Sequence, residues 1–471
     1  MYGLVTSIGV AGRIGQFTLE NGLRLVTAPA ATGQVAAVNL WYGVGSRHEV
    51  PGRTGFAHLF EHLMFQGSGN VAKGEHFEAV ERLGGDINAS TSTDRTNYFE
   101  TVPEHALDLA LWLEADRLAT LRDGMSQEVL DNQRDVVKNE RRQRYDNVPY
   151  GTALERILRL AYPEGHPYHH PTIGSMADLD AADLDYVLSF HRRHYGPDNL
   201  VLTVVSDLDP EDVHERVRRY FGGIAPRGTV AEAPEAALDG PIGGPVGETV
   251  VETVPAPAVF LGFRVGPYGS REFDIMHLAA AVLGQGQGSR LYQRLVVERG
   301  LAADDGGGAA DLLAFRYTPS LVLVSMIARE NVSGDELEAA ILEEIAGLAE
   351  GVGEEELERA RAVLERDHLQ SISTPSGLAD TLSSCAQLFG DPELAYTWPQ
   401  RWADITTDDI VTHAKRLLTA ENRLVLRFEP GAQPSAEAAA EVAESGTGLG
   451  DETGVEHGAA DGAAGDPAGA S

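Results

Sequence analysis

At 471 residues the chain is long enough for two to four domains, and 43% hydrophobic with 23% charged residues is the balance of an ordinary globular protein. Its 37 Lys and Arg against 71 Asp and Glu give a formal charge of −34, which argues against nucleic acid or a membrane surface as partner. A single cysteine, Cys385, excludes an intrachain disulfide and points to a reducing, cytoplasmic compartment.

Residues 1–19 lack a basic segment followed by an apolar core, so no signal peptide is expected. Residues 17–26 alternate around Asn21-Gly22, the pattern of a hairpin with a type I′ turn. An apolar strand is expected over 35–44. The next stretch, 55–65, reads as a helix: Phe56, Leu59, Phe60, Leu63 and Met64 recur at helical spacing, and Gly67 and Gly69 end the run. On its other face His58 and His62 stand four residues apart with Glu61 beside them. Two imidazoles so placed can share one Zn²⁺, and a neighbouring carboxylate that is not a ligand can take a proton from the water that the metal activates. The order H-x-x-E-H is the inverzincin signature. The plain alternative is an amphipathic helix whose His-Glu pairs are merely solvated.

A short helix over 74–83 closes at Gly84-Gly85, and the β-branched, polar run 86–102 has the composition of an exposed strand or hairpin. Helices follow over 104–121 and 126–145, then a loop with His166, His169 and His170. That trio holds adjacent residues that do not readily converge on a metal, so it reads as surface or interface histidines. A helix over 183–194, a strand over 200–205 and a helix over 210–220 complete this half. Residues 229–249, rich in Ala, Pro, Gly and Glu without periodicity, read as a linker.

The second half repeats the plan. Residues 38–45 are echoed by 259–266, and His58 to His62 find a weak counterpart in His277-Leu278-Ala279-Ala280-Ala281. A period beyond two hundred residues means duplicated domains, the second without the chemical residues. The glycines at 284, 286 and 288 lack the Lys-Ser/Thr of a phosphate loop and read as a turn. Cys385, in the helix-like run 382–388, reads as a small buried hydrophobe. Helices over 334–349, 354–372 and 408–418 precede a strand over 423–428, and 431–471 reads as a disordered acidic tail. No apolar run reaches transmembrane length.

These residues resemble the pitrilysin/insulinase superfamily of zinc metallopeptidases, in its short-chain branch related to the mitochondrial processing peptidase β subunit. The likeness spans 17–429 and includes H-x-x-E-H at His58 to His62, Gly84 to Ala89, Val136 to Arg142, His166 to Tyr168, Tyr195 to Leu200 and Gly288 to Tyr292. It implies an α+β fold of two homologous domains, each a mainly antiparallel sheet packed with helices, together forming half of a clamshell around a chamber. The implied domains are a zinc-binding catalytic domain at 1–228 and a non-catalytic one at 250–430. It implies one Zn²⁺ per chain, with Glu140 as third ligand to His58 and His62, and Glu61 as catalytic base. It also implies that an extended peptide pairs with a strand at Asn88, Ala89 and Ser90.

The chain departs from the family pattern twice. Gln133 stands where several members carry a supporting glutamate. Val296 and Ala303 stand where members that bind substrate with their second domain carry an Arg and a Tyr. The expected activity is hydrolysis of short or unfolded peptides, with a homologous chain as partner, a heterodimer before a homodimer. The alternative is a non-catalytic structural or peptide-binding subunit.

Overall fold

The structure, a computed structural model, describes residues 14–30, 33–228, 236–304 and 308–431. Beyond Gly431 the expected disordered tail lies outside the described residues, as does 229–235 of the expected linker.

β1 (Gly15–Thr18) and β2 (Arg24–Ala28) pair antiparallel, with Phe17 opposite Leu25. Their turn is not the expected type I′, which needs positive φ at both central residues. Only Gly22 is left-handed, at φ +88°, and its N–H donates to the Leu19 carbonyl, which makes a type I turn closed by a glycine. Asn21 is held otherwise: its Nδ2 donates to the carbonyls of Phe221 and Ile224.

β3 (Val35–Tyr42) is apolar almost throughout because both of its faces are covered. After it come α1 (Phe56–Leu63) and α2 (Glu75–Glu81). β4 (Asp86–Thr91) and β5 (Thr96–Pro103) form the expected hairpin, but it is not simply exposed. β4 lies at the sheet edge, whereas β5 lies inside, with Thr96, Asn97 and Glu100 buried. α3 (Leu107–Thr120) and α4 (Gln127–Arg141) follow, the second capped by Ser126 Oγ, which accepts from Val129 N at 3.2 Å. The half ends with α5 (Ala153–Ala161), α6 (Met176–Asp180), α7 (Leu184–His194), β6 (Leu200–Val205) and α8 (Pro210–Phe221). The six strands lie in the order β1-β2-β6-β3-β5-β4.

The second half begins with β7 (Val246–Glu252), β8 (Ala258–Val265) and α9 (Arg271–Gly284). β9 (Ala310–Leu313) and β10 (Ser320–Ile327) lead to α10 (Gly334–Glu350), α11 (Glu354–Ser371) and α12 (Pro375–Phe389). α13 (Leu394–Thr397), α14 (Thr407–Leu417) and β11 (Arg423–Pro430) close it. The order β7-β11-β8-β10-β9 reproduces β2-β6-β3-β5-β4, down to one parallel pair in each sheet. The repeat holds in register: Tyr42 faces the first residue of β6, Leu200, as Phe263 faces the first residue of β11, Arg423.

Each sheet packs its own helices on one face and a helix of the other half on the opposite face. Leu378, Ala379, Leu382 and Ala386 of α12 pack with Trp41, Val201 and Val205 of the first sheet. Ile157, Leu158 and Ala161 of α5 pack with Leu424, Leu426 and Phe428 of the second. Each fully buried Leu or Ile contributes about 1.5–3 kcal/mol, so the exchanged helices tie the halves firmly. The described part of the expected linker is itself packed: Ala236, Leu238 and Ile242 join this second cluster, and β7 begins at Val246. Among the described residues no helix is long and apolar enough to cross a membrane.

Candidate metal centre

α1 buries Phe56, Leu59, Phe60 and Leu63 in the core of the first half, which turns His58, Glu61 and His62 toward its other side. Gly55 caps it at φ +85°, and a Cβ there would come within 2.7 Å of the Ile173 carbonyl, so the entry to this helix needs glycine. A buried carboxylate secures the same end. Glu49 Oε2 accepts from Gly55 N at 2.9 Å and Oε1 from Ala57 N at 2.7 Å, while His170 Nε2 stands 2.9 Å from Oε2. A negative charge at a helix N-terminus is favourable. Burial pushes the Glu49 carboxyl up, against the opposing pull of His170 and the two amides.

α4 packs against α1 and brings Glu140 to the pair of imidazoles. Glu140 Oε2 lies 3.6 Å from His58 Nε2 and 3.3 Å from His62 Nε2, and the two rings stand 4.8 Å apart at 76°. Ligands held about 2.0–2.2 Å from one Zn²⁺ lie at roughly these mutual separations, so the donors fit a shared ion. Burial holds His58 below its usual value, despite the carboxylates of Glu61 and Glu140, which favours the neutral, ligating form. For Glu140 burial opposes ionisation, yet His62, His58 and Arg144 outweigh it and bring the carboxyl down to about 2. Arg144 Nη1 lies 3.0 Å from the other Glu140 oxygen. Glu61 Oε2 accepts a hydrogen bond from the Thr91 hydroxyl, which links the base candidate to the end of β4.

Gln133 lies two turns before Glu140 and is buried, but its Nε2 donates to Asn132. Among the described residues it has no hydrogen bond to His58, His62 or Glu140.

Among the described residues β4 pairs only with β5, so its other edge has no strand partner there. Ser92 N donates to Arg95 O. Ladder alternation then makes Ser90–Asn97 and Asn88–Phe99 the bonded pairs and turns the backbone groups of Ala89 and Thr91 to the open edge. Of the three residues expected to meet a peptide, Ala89 offers its carbonyl there. The Asn88 side chain takes the Ala89 N–H at 2.8 Å, and Ser90 is buried with Oγ on Asn97 Oδ1 at 2.7 Å.

Other candidates separate from this centre. His166 and His169 each lie within hydrogen-bond distance of a carbonyl, of Ala236 and Tyr162 respectively, while His170 holds Glu49. His76, Glu100 and Glu114 also bring three donor atoms within 4.8 Å, all buried, but Arg117 Nη2 already bonds both oxygens of Glu114. Burial pushes Glu100 up to about 7 and His76 down to about 4. Val296 is buried in the second core, and Arg290 pairs with Glu356 at 2.6 Å. Cys385 is buried and its thiol is pushed up to about 12 by burial.

Known proteins share this fold. A protease from Helicobacter pylori has a solved structure that superposes with a TM-score of 0.81 at 28% identity, over 89% of this chain and 99% of that one. A peptidase M16 inactive domain from Pseudomonas fluorescens has a TM-score of 0.78 at 15% identity, over 89% and 98% of the two chains, a likeness of fold alone. The class is therefore a two-domain peptidase fold. Residues 24–174 match the family model for Insulinase (Peptidase family M16), and residues 181–364 that for the Peptidase M16 inactive domain. Zinc protease PqqE of Helicobacter pylori is 30% identical over 404 residues, 84% of this chain and 88% of that protein. An uncharacterized zinc protease of Mycobacterium leprae is 33% identical over 289 residues, 60% of this chain and 63% of that one. The chain belongs to the insulinase family, peptidase family M16.

Proposed function

We propose that the chain is a zinc-dependent endopeptidase that cuts short or unfolded peptides, with one Zn²⁺ held by His58, His62 and Glu140. The observation that carries this reading is the convergence of two Nε2 atoms and one carboxylate oxygen, with separations of 3.3 and 3.6 Å, beside a second carboxylate, Glu61. Zinc, when bound, supplies a Lewis acid that polarises the scissile carbonyl and makes water acidic near neutral pH. Glu61 is the base: its carboxylate takes the proton of the attacking water and later gives it to the leaving amine. Thr91 orients that carboxylate by donating to one of its oxygens. An extended peptide adds to the free edge of β4 and so passes alongside Glu61.

The catalytic machinery in this reading belongs to a domain at 1–228, and the domain at 250–430 is non-catalytic. With Val296 and Ala303 in place of an Arg/Tyr pair, contacts from a second homologous chain complete the peptide site, a heterodimer before a homodimer. A location in the cytoplasm accords with the single, buried cysteine.

The test is Glu61→Gln. It should keep zinc at the wild-type stoichiometry and lose hydrolysis of a quenched peptide by about 10²–10⁴-fold. A zinc-loaded, fully active Gln variant would sink the assignment. Purified alone, the wild-type chain should be weakly active; full activity of a single, homogeneous chain would remove the need for a different partner.

A further inference from the structure

One carboxylate of the second half reaches the two strands that lie next inward from the edge strand of the first. Asp380, on α12, gathers three hydrogen bonds on a single oxygen: Trp41 Nε1 donates at 2.8 Å, Asn97 Nδ2 at 2.9 Å and Asn39 Nδ2 at 3.2 Å. The donors stand on β3 and β5, on the face of the first sheet that α12 covers.

Asn97 carries the arrangement outward. Its Oδ1 accepts from Ser90 Oγ at 2.7 Å and from Arg95 Nη1 at 3.1 Å. Arg95 Nη1 also donates to the Ser90 carbonyl at 2.8 Å and the Ser90 hydroxyl at 2.5 Å. Every acceptor that Arg95 uses in this group is neutral, so its charge is balanced through space. The carboxylates that support it against burial are Asp380 first, then Glu61 and Asp94. Ser90 is in turn the neighbour of Thr91, whose hydroxyl bonds Glu61 and whose backbone opens onto the free edge. The route from α12 to the peptide edge is thus an unbroken series of hydrogen bonds and one covalent step.

We propose that Asp380 is a positioning residue: through Asn97 and Arg95 it fixes the end of β4 so that Ala89 and Thr91 are set to receive an extended peptide. The second half then takes part in peptide binding without touching the peptide. A carboxylate on one oxygen gives three charge-assisted bonds, each stronger than its neutral equivalent, so the loss of Asp380 loosens β4 more than the loss of one ordinary hydrogen bond. The inference rests on the reading of β4 as the pairing strand.

Asp380→Asn and Asp380→Ala test it, with zinc content, amide exchange along the first sheet, and KM and kcat for a quenched peptide of about ten residues. In the Ala variant, exchange over 88–92 should quicken about tenfold while β2 and β6 stay within about twofold, the effect of losing roughly 1.4 kcal/mol locally. KM should rise about tenfold with a smaller fall in kcat, through the Thr91 contact to Glu61, and zinc content unchanged, and Asn, which keeps the accepting oxygen, should recover part of the loss. If the Ala variant does not fold, the Asn variant alone should show the same pattern at about threefold. Uniformly faster exchange across the sheet, a loss confined to kcat, or variants indistinguishable from wild type would overturn the proposal. A wild-type protein that holds zinc and cuts nothing would refute the peptidase reading instead, and the exchange measurement would then decide the role of Asp380 by itself.

Discussion

α1 and α9 occupy the same place in the two halves, each following the equivalent strand, β3 or β8, and each begins its H-x-x-x-x stretch with a histidine, His58 or His277. What faces them differs. Across from α1, helix α4 presents Glu140, a carboxylate, to two imidazoles. Against α9, helix α11 presents Arg359, whose guanidinium donates to the carbonyls of Gln285 at 2.8 Å and Ala281 at 3.0 Å. A cation at a helix C-terminus is favourable, and it also repels a metal ion. Positions 280 and 281 are alanine and are buried, and His277 is left beside Asp311 at 3.8 Å and against Phe273 and Trp402. The apolar face alone is enough to keep the helix in both halves. Chemistry depends on a few residues of the opposite face and on the sign of the charge brought across by the next helix.

The sharpest way to break this contrast is to make the first half like the second. Glu140→Arg, or His58→Ala with His62→Ala, should abolish zinc retention after dialysis and bring hydrolysis to background, as read by metal analysis and peptide assay. Removing the anchor beneath α1 should do less. Glu49→Gln keeps one accepting oxygen where Gly55 N and Ala57 N use two, so one amide at the start of α1 loses its partner; stability should fall by about 1–2 kcal/mol in denaturant titration, with zinc held more weakly.

The buried cluster of His76, Glu100, Glu114 and Arg117 gives a pH test of smaller size. Burial raises the folded-state value of Glu100 to about 7, above its unfolded value of about 4.5. The unfolded chain therefore ionises first, so this group costs stability progressively as pH rises from about 4.5 to 7, and the full cost persists above. Glu100→Gln should raise the thermal midpoint above pH 7 by a few degrees, about 2–4 °C per kcal/mol recovered, and leave it unchanged near pH 4. Equal shifts at both pH values would contradict the assignment. The smallest effect runs in the other direction: Ala280→Glu with Ala281→His, which restores the motif to α9, should add no second zinc while Arg359 remains.

Much of this was legible in the sequence, and the reasons differ by residue. Helical spacing reveals α1 and the placing of His58, Glu61 and His62 on one face, because that pattern is local. Glu140 lies far along the chain, and only the packing of α4 against α1 selects it from other glutamates; family resemblance supplied that step. Glu49, His170, Thr91 and Asp380 carry no local signal, since their roles rest on hydrogen bonds to other elements that no periodicity of their own segment foreshadows. The Asn21-Gly22 turn differs from expectation because the Asn21 side chain is drawn to the end of α8, and the core position of β5 depends on α12, which comes nearly three hundred residues later. α5 is only nine residues long and gains its meaning from the second sheet, which residues 153–161 do not foreshadow.

The most direct test of the account is to locate the metal. Anomalous diffraction at the zinc edge, on crystals of the wild-type chain, should show one ion per chain, bound by His58 Nε2, His62 Nε2 and a Glu140 oxygen, and no ion beside His277 in the second half. No zinc at this triad in a zinc-loaded protein, or zinc bound instead at His277 and Asp311, would contradict it.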